Sequence, residues 1–501
     1  MMTLHELIDP LPRAALTGPG EGVVTGVHDD SRAVGQGDVF VAVRGATVDG
    51  HEFIAKAIEA GAGAIVAETP ARADLPEGIC WVLVPDTREA LGILSSTWYG
   101  KPSEDLRVAG VTGTNGKTTT AFLLHRILKR TYQRAGLIGT VLVDDGAKER
   151  VATYTTPGTL EMQELLDRMR ENGCPAVAME VSSQGLEQGR ASSIAFDAAV
   201  FTNLTQDHLD YHGTMERYFA SKRILFDQIA GDSAGKKPTA VLNRDDRYGE
   251  VLARDYGSRM KVCTYGFGLR CDFKAGNVKQ SQQGTEFQLE AKGHSYLVRL
   301  PLFGRFNVYN ALAALGAAAA MRVPLREAVT ALAEAPQVPG RMECVGTVEG
   351  ASVFVDYAHT PDALDNVCRT LRELEPRRLI TVFGCGGNRD RAKRPLMGKA
   401  ASAQSDYCFV TSDNPRTEDP EKIISEIETG MSGAVYERIV NREEAIRAAV
   451  TEARGGDVVL IAGKGHEDYQ EFADRRISFD DRKQARTAME ARRSARKEER
   501  P

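Results

Sequence analysis

The chain has 501 residues, 26% of them charged and 42% hydrophobic, with a formal net charge of -6. That length exceeds one ordinary core and predicts roughly two to four domains, and the mild acidity without any long basic stripe excludes an electrostatic case for nucleic acid. No apolar run approaches the roughly 18 residues of a membrane span, and MMTLHELIDPLPRAAL has no basic region leading into an apolar one, so a cytoplasmic protein is expected.

In chain order, residues 23–95 alternate short apolar runs (VVTGV, DVFVAV, GAIVAE, CWVLV) with a helical stretch, FIAKAIEAG, the pattern of a small α/β domain. The polar, proline-containing WYGKPSEDL then reads as a linker. From 107 to about 335 strands and helices alternate again, ending in the Ala-rich helix NVYNALAALGAAAAM, which must pack closely. From Arg341 onward VFVDYAH, RLITVFGCGG, DYCFVTSD and DVVLIAGKG are apolar runs breaking into polar or Gly-rich residues, with helical ALDNVCRTLREL and EKIISEIETGM between them. This is the βαβ signature of a parallel sheet, whose ligands sit beyond the carboxyl ends of the strands. The tail MEARRSARKEERP reads as a solvated helix or a frayed end. The eight cysteines, at 80, 174, 263, 271, 344, 368, 385 and 408, form no CxxC pair, which argues for reduced thiols over a zinc site or disulfides.

The strongest local signal is RVAGVTGTNGKTTTAFLLHRILKR, residues 107–130. An apolar strand enters a Gly-rich turn, and Gly116-Lys117-Thr118 opens an amphipathic helix. Backbone N–H groups of such a turn and the helix N-terminus suit a phosphate, Lys117 the terminal phosphates and the Thr118 hydroxyl a magnesium ion. The loop departs from G-x-x-x-x-G-K-[ST], since Val111 stands where the first glycine belongs and Gly113 comes later. An ATP-using site also needs metal ligands at neighbouring strand ends. PAVAMEVSS delivers Glu180 there, and VFTNLTQDHLDYH delivers Asp207, His208, Asp210 and His212, of which Glu180 and His208 are the candidate magnesium ligands.

Taken together, GTNGKTTT, TTPG (155–158), MEVSSQGLEQGR (179–190), TNLTQDHLDYHG (202–213), GRFNVYNALAA (304–314), GRME (340–343), DYAHTPDAL (356–364), GCGGNRDRAKRPLMG (384–398) and GKGHEDYQ (463–470) resemble, in order, the Mur ligases. The resemblance runs from about Asp30 to Gln470 and is nearest to the members that add the third residue of the peptidoglycan stem peptide. It implies an α/β protein of three domains: a small UDP-binding domain (1–100), a central P-loop ATPase-like parallel-sheet domain (101–337) and a Rossmann-like amino-acid-binding domain (338–501). Carried over by position, it implies ATP contacts at Gly113, Thr114, Asn115, Gly116, Lys117, Thr118, Thr119, Asn307, Arg341 and Asp356. The UDP-MurNAc-dipeptide would be held by Ser31, Ala46, Thr47 and Val48, and by Thr155, Thr156, Ser182, Gln188 and Arg190. Thr118, Glu180, His208 and Lys222 would serve the magnesium, with Lys117, Glu180, His208 and Lys222 as the catalytic set. Lys222, by pattern a solvated amine on a helix, would be carbamylated to an N6-carboxylysine.

The implied reaction is an ADP-forming amide ligation. A D-glutamate side-chain carboxylate attacks the γ-phosphate of ATP, and an amine displaces phosphate from the acyl phosphate. The amine is the point that D-N-P-R, residues 413–416, addresses. meso-Diaminopimelate differs from lysine by a carboxylate beside its distal amine, so a selective site should offer a guanidinium fork together with acceptors. Arg416 would take that carboxylate, Asp413 and Asn414 would anchor polar groups, Pro415 would stiffen the turn, and Arg389, Gly463 and Glu467 match the remaining positions of the diaminopimelate-adding members. The partners implied are small molecules acting on a monomer. A regulatory GTPase, suggested by Asn243 and Asp246 at N-x-x-D spacing, a Rossmann dehydrogenase, suggested by GCGGNRD with Arg389 at the third glycine, a folylpolyglutamate synthetase and a lysine-adding ligase are the competing readings.

Overall fold

A computed structural model describes residues 2–45, 48–71, 75–231, 234–281 and 284–498, which form two compact units. The first comprises Met1–Leu204, Thr214–Tyr265 and Ala313–Leu325; the second comprises Thr205–Gly213, Gly266–Leu312 and Arg326–Pro501.

The first unit contains two larger sheets besides the short pair Met2–Thr3 and Val23–Val24. In one, the strands Ala15–Thr17, Cys80–Leu83, Ala64–Ala67, Val39–Val41 and Val27–His28 lie in that order, parallel except for the first. Both faces are covered, Val39, Val41 and Val66 on one side and Phe40, Ile65 and Trp81 on the other. Such strands read as unbroken apolar runs because neither face meets water. In the other sheet Gly136–Ile138, Ala176–Glu180, Arg107–Thr112, Ala198–Phe201, Thr239–Asn243 and Lys261–Gly266 run parallel. Glu180 pairs with Val111 and Phe201 with Thr112, so the phosphate loop and the segments after Glu180 and Phe201 emerge side by side.

WYGKPSEDL is no loose linker. Pro102–Asp105 forms a helical turn, the Ser103 hydroxyl is buried and accepts from Ala195 N at 3.0 Å, and Arg170 donates to the carbonyls of Tyr99 and Gly100 at 3.1 and 3.0 Å. Polar composition misled here because the polar groups are spent on tertiary hydrogen bonds. The Ala-rich helix, Arg305–Ala320, buries Ala311, Leu312, Ala313, Ala314, Leu315, Ala317 and Ala318, hence its lack of a polar face.

In the second unit the strands Glu343–Val348, Ala351–Asp356, Val458–Ala462, Leu379–Phe383, Tyr407–Val410 and Tyr436–Arg438 form one sheet, parallel apart from its first pair. Leu379 and Phe383 enter one core layer and Ile380 and Val382 the other. The carboxyl ends of its central strands therefore carry Asp356, Gly463, Gly384 and Thr411 together, the place where open α/β sheets bind ligands.

One element differs from the sequence reading. Phe273–Ser281, Gly284–Ala291 and His294–Leu300 form an antiparallel meander where alternating strands and helices were expected. The charged tail continues a helix, Asp481–Glu498, that is anchored in the core through Ala485, Ala488 and Met489, while residues 490, 491 and 493–495 are exposed, as a solvated helix requires.

Candidate functional site

The phosphate loop is built on one glycine. Gly113 has φ 146° and a Cβ there would lie 1.8 Å from Thr202 Oγ1, so no side chain is tolerated. Thr114 N donates to Asn203 O at 2.8 Å and Asn115 N to Asn203 Oδ1 at 3.0 Å, while Asn203 Nδ2 and Thr202 Oγ1 donate to Asn115 O at 3.0 and 2.7 Å. Asn203 thus acts as a splint for the loop, a role that no local spacing announces. Gly116, φ 86°, begins the helix Lys117–Tyr132 without a side-chain cap, presenting the positive end of a helix dipole at the loop. Lys117 Nζ curls over the loop and donates to Gly113 O at 2.9 Å and Thr114 O at 2.8 Å. Thr119 is buried in the first turn.

Glu180 ends the adjacent strand, 1% exposed. Thr118 Oγ1 donates to its Oε2 at 2.9 Å, Thr140 N donates to its Oε1 at 2.6 Å, and Thr140 Oγ1 lies 3.0 Å from both Glu180 Oε2 and Thr155 Oγ1. Thr156 Oγ1 accepts from Ser182 N at 3.0 Å and reaches Glu180 O at 3.2 Å; Arg190 donates to Thr156 O at 2.8 Å and to Gln188 Oε1 at 2.6 Å. One hydrogen-bonded set therefore joins the phosphate loop, the candidate metal carboxylate and the five candidate substrate residues Thr155, Thr156, Ser182, Gln188 and Arg190. Ser31 is half-buried between Asp30 and Arg32, which pair with each other, and Val48 is exposed; Ala46 and Thr47 lie outside the described residues.

Lys222 is not the solvated amine its pattern suggests. It is 1% exposed, donates to Gly113 O at 2.9 Å and stands 4.4 Å from the ring centre of Tyr218, whose hydroxyl is 3.2 Å from Thr114 Oγ1. The guanine-reading alternative loses its support, because Asn243 Nδ2 donates to Thr202 O at 2.8 Å and Asp246 caps the helix Arg247–Tyr256 through Tyr248 N and Gly249 N. Both side chains are spent on the fold.

In the second unit, His208 adopts φ 53°, opens the short helix Leu209–His212 and lies 3.5 Å from Asp207 Oδ2, its side chain 42% exposed. Asn307 is buried, donating to Phe303 O at 2.8 Å and accepting from Asn310 Nδ2 at 2.9 Å. Asp356 accepts from Met342 N at 2.6 Å and Ala358 N at 2.7 Å; burial nevertheless pushes its carboxyl up to about 6 against the pull of Arg341. The Arg341 guanidinium lies 4.5 Å from the Tyr357 ring centre, and the His466 ring packs 5.3 Å from the same ring. Burial, with Arg341 and Arg482 nearby, brings His466 down to about 3, a neutral imidazole at physiological pH.

The strand ends of this unit gather the amine-site candidates. Asp413, Asn414 and Pro415 are buried. Asn414 Nδ2 donates to Glu467 Oε2 at 3.0 Å, and a Cβ on Gly463 would come within 2.7 Å of Asp413 Oδ2. Arg416 is held from behind: its Nε donates to Glu471 Oε2 at 2.9 Å, one terminal nitrogen to Gly387 O at 2.8 Å, and its backbone N to Glu471 O at 3.0 Å. Arg389 stands exposed on the neighbouring loop. A Cβ on Gly387 would sit 1.9 Å from Pro415 O, so the GCGG run serves close approach to the D-N-P-R loop rather than a dinucleotide. Arg442, fully buried, donates to Ser412 O, Ala462 O and both oxygens of Asp481, fixing two strand ends to the last helix. Lys464, which sequence reasoning passed over although it sits inside GKGHE, donates to Asn414 Oδ1 at 3.0 Å and Glu467 Oε2 at 3.1 Å.

Burial pushes the thiols of Cys368, Cys385 and Cys408 up to about 12 and that of Cys174 to about 11, leaving them protonated at neutral pH and poor nucleophiles. Among the described residues no cluster of three or more His, Cys, Asp or Glu could hold a metal. The Glu180 carboxylate and Thr118 hydroxyl do form an oxygen pair suited to a hard cation.

Three family models match: the Mur ligase family, catalytic domain, over residues 23–99, the Mur ligase middle domain over 111–318, and the Mur ligase glutamate ligase domain over 340–465. A UDP-N-acetylmuramoyl-L-alanyl-D-glutamate--2,6-diaminopimelate ligase of Geobacillus kaustophilus is 44% identical over 494 residues, covering 98% of this chain and 100% of its own length. One of the same name from Geobacter sulfurreducens is 42% identical, covering 97% and 98%. A solved structure bearing that name is 34% identical, with a TM-score of 0.72 over 98% of this chain and 99% of its own. The MurF ligase of Thermotoga maritima in complex with ADP, at 22% identity and a TM-score of 0.63 over 94% of this chain and 98% of its own, shares the fold. With the ordered motifs, the parallel sheets and their strand-end loops all accounted for, the chain belongs to the Mur ligase family, in its three-domain α/β form.

Proposed function

We propose that this chain is an ATP-dependent ligase adding meso-diaminopimelate to the D-Glu side-chain carboxylate of UDP-MurNAc-L-Ala-D-Glu, through an acyl phosphate, in peptidoglycan precursor synthesis. The observation that carries this reading is the strand-end cluster of Arg416 with Asp413, Asn414 and Glu467, in a chain aligned end to end with ligases of that name. Domain divisions near residues 100 and 337 accompany it, as do a cytoplasmic location and a monomeric enzyme working on small molecules. Among the described residues no helix is long and apolar enough to cross a membrane.

The roles follow from charge. Carboxylate and γ-phosphate are both anions, so the main task is neutralisation and alignment. Gly113 to Thr119 cradle the phosphates, and Lys117 turns from the loop carbonyls to the transferring phosphoryl group. Asn307, Arg341 and Asp356 are the remaining proposed ATP contacts. Ser31, Val48, Thr155, Thr156, Ser182, Gln188 and Arg190 hold the UDP-MurNAc-dipeptide, with Ala46 and Thr47 beside them in sequence. Thr118, Glu180, His208 and a carbamylated Lys222 would hold magnesium, which would supply charge neutralisation at the phosphates. The oxygen pair at Glu180 fits that ion, and carbamylation would make an oxygen donor of a side chain already beside the loop. Intact-protein mass measured without acid treatment should show Lys222 heavier by one CO2; a free amine in fully active, bicarbonate-treated enzyme counts against it.

The decisive assay is ADP release with ATP and UDP-MurNAc-L-Ala-D-Glu, comparing meso-diaminopimelate with L-lysine. Faster release with diaminopimelate is expected. Equal rates, or a preference for lysine, would overturn the amine assignment and leave the ligase assignment standing.

A further inference from the structure

Lys464 is an anomaly of burial. Its side chain is 0% exposed, yet both its hydrogen bonds go to residues of the amine site, Asn414 Oδ1 at 3.0 Å and Glu467 Oε2 at 3.1 Å. Asn414 Nδ2 donates to the same Glu467 oxygen at 3.0 Å, so the three side chains close a triangle. Glu471 N adds a bond to Asn414 Oδ1 at 3.0 Å, and the Tyr469 ring centre lies 5.2 Å from the ammonium. Burial alone would raise the neighbouring Asp413 carboxyl, but Lys464 and Arg442 outweigh it and hold that group below its ordinary range.

An ammonium without hydration is costly, and an apolar side chain of the same length would pack there more cheaply. The charge therefore has work to do in the site. It occupies one oxygen of Glu467 and the amide oxygen of Asn414, which sets the orientation of both, and none of these bonds uses Glu467 Oε1. A substrate ammonium would meet a carboxylate oxygen already aimed. The ammonium also offsets Asp413 and Glu467, two acids that would otherwise repel the carboxylate bound for Arg416.

We propose that Lys464 is a positioning and specificity-determining residue of the amine site, fitting it to a centre that bears an ammonium and a carboxylate together. This deepens the diaminopimelate reading and rests on it.

The test uses the full-length enzyme with Lys464→Met, which keeps much of the stem and loses the charge. The KM for diaminopimelate should rise by about 10- to 100-fold, the scale on which a misplaced binding group acts. The KM for ATP should stay within about twofold, and the preference for diaminopimelate over L-lysine should fall by roughly the same factor as the diaminopimelate KM rises. Should Lys464→Met not fold, Lys464→Gln, which keeps N–H donors, carries the same measurements. An unchanged diaminopimelate KM in a folded variant overturns the proposal, as does a parallel rise in both KM values, the mark of a purely structural role. Failure of the wild-type enzyme to use diaminopimelate overturns the underlying reading, and this proposal with it.

Discussion

Lys117→Ala should lower ADP release by about 10³-fold or more while leaving a folded protein, because a preorganised cation at a transferring phosphoryl group supplies a large share of its stabilisation. The nucleophile and the γ-phosphate are both negative, and the helix dipole at Gly116 carries only about half a unit charge. Lys117 is the loop's own full positive charge. In the present state its Nζ satisfies the carbonyls of Gly113 and Thr114, bonds worth about 0.5–1.5 kcal/mol each net of solvation, so stability should fall only modestly. ADP release and a thermal melt measured on one preparation separate the two effects. Activity within tenfold of wild type would remove Lys117 from the chemistry. Lys117→Arg is expected to fail as well, since a planar fork cannot replace a point charge in so tight a loop.

Arg416→Ala carries the second large effect. Its kcat/KM for diaminopimelate should fall by about 10²- to 10³-fold, the penalty for removing a charge-assisted fork from a specific carboxylate, with the KM for ATP within about twofold. The geometry favours a clean result. Glu471, left behind, is 42% exposed and can be rehydrated. Gly387 O loses one donor, and the backbone bond from residue 416 to Glu471 O survives. L-Lysine, which has no distal carboxylate, should lose far less than diaminopimelate. Equal losses for the two amines, or a large rise in the KM for ATP, would show that Arg416 supports the fold and does not read the substrate.

The parts legible in advance were those whose physics is local. The strand, turn and helix of residues 107–130 announce themselves through an apolar run, glycines where the backbone must turn, and a stripe at helical spacing. The strand-end runs of the second unit were equally readable because parallel strands with both faces covered are apolar throughout. D-N-P-R drew attention as chemistry, and in the fold Asn414 lies against Glu467. What escaped was long-range. Asn203 splints a loop nearly 90 residues away in the chain, and Thr140 reaches Glu180 across 40. Lys464 reaches Asn414 across 50. The meander of 273–300 and the buried face of Asp481–Glu498 were masked by charged and polar residues that share those elements with the core-facing ones.

By itself, then, the sequence determined the α/β class and the strand, turn and helix of the phosphate loop, which depend on residue types at short spacing, while the resemblance of its ordered motifs implied the family and the amine to expect. Whether Lys222 is a solvated amine or a buried one beside Gly113, whether Asn243 and Asp246 are free to read a base, and which side chains hold Arg416 and Glu467 in place were decided only by tertiary structure. The reason is physical: burial and hydrogen-bond partners are properties of residues brought together from distant strands, and no local pattern encodes them.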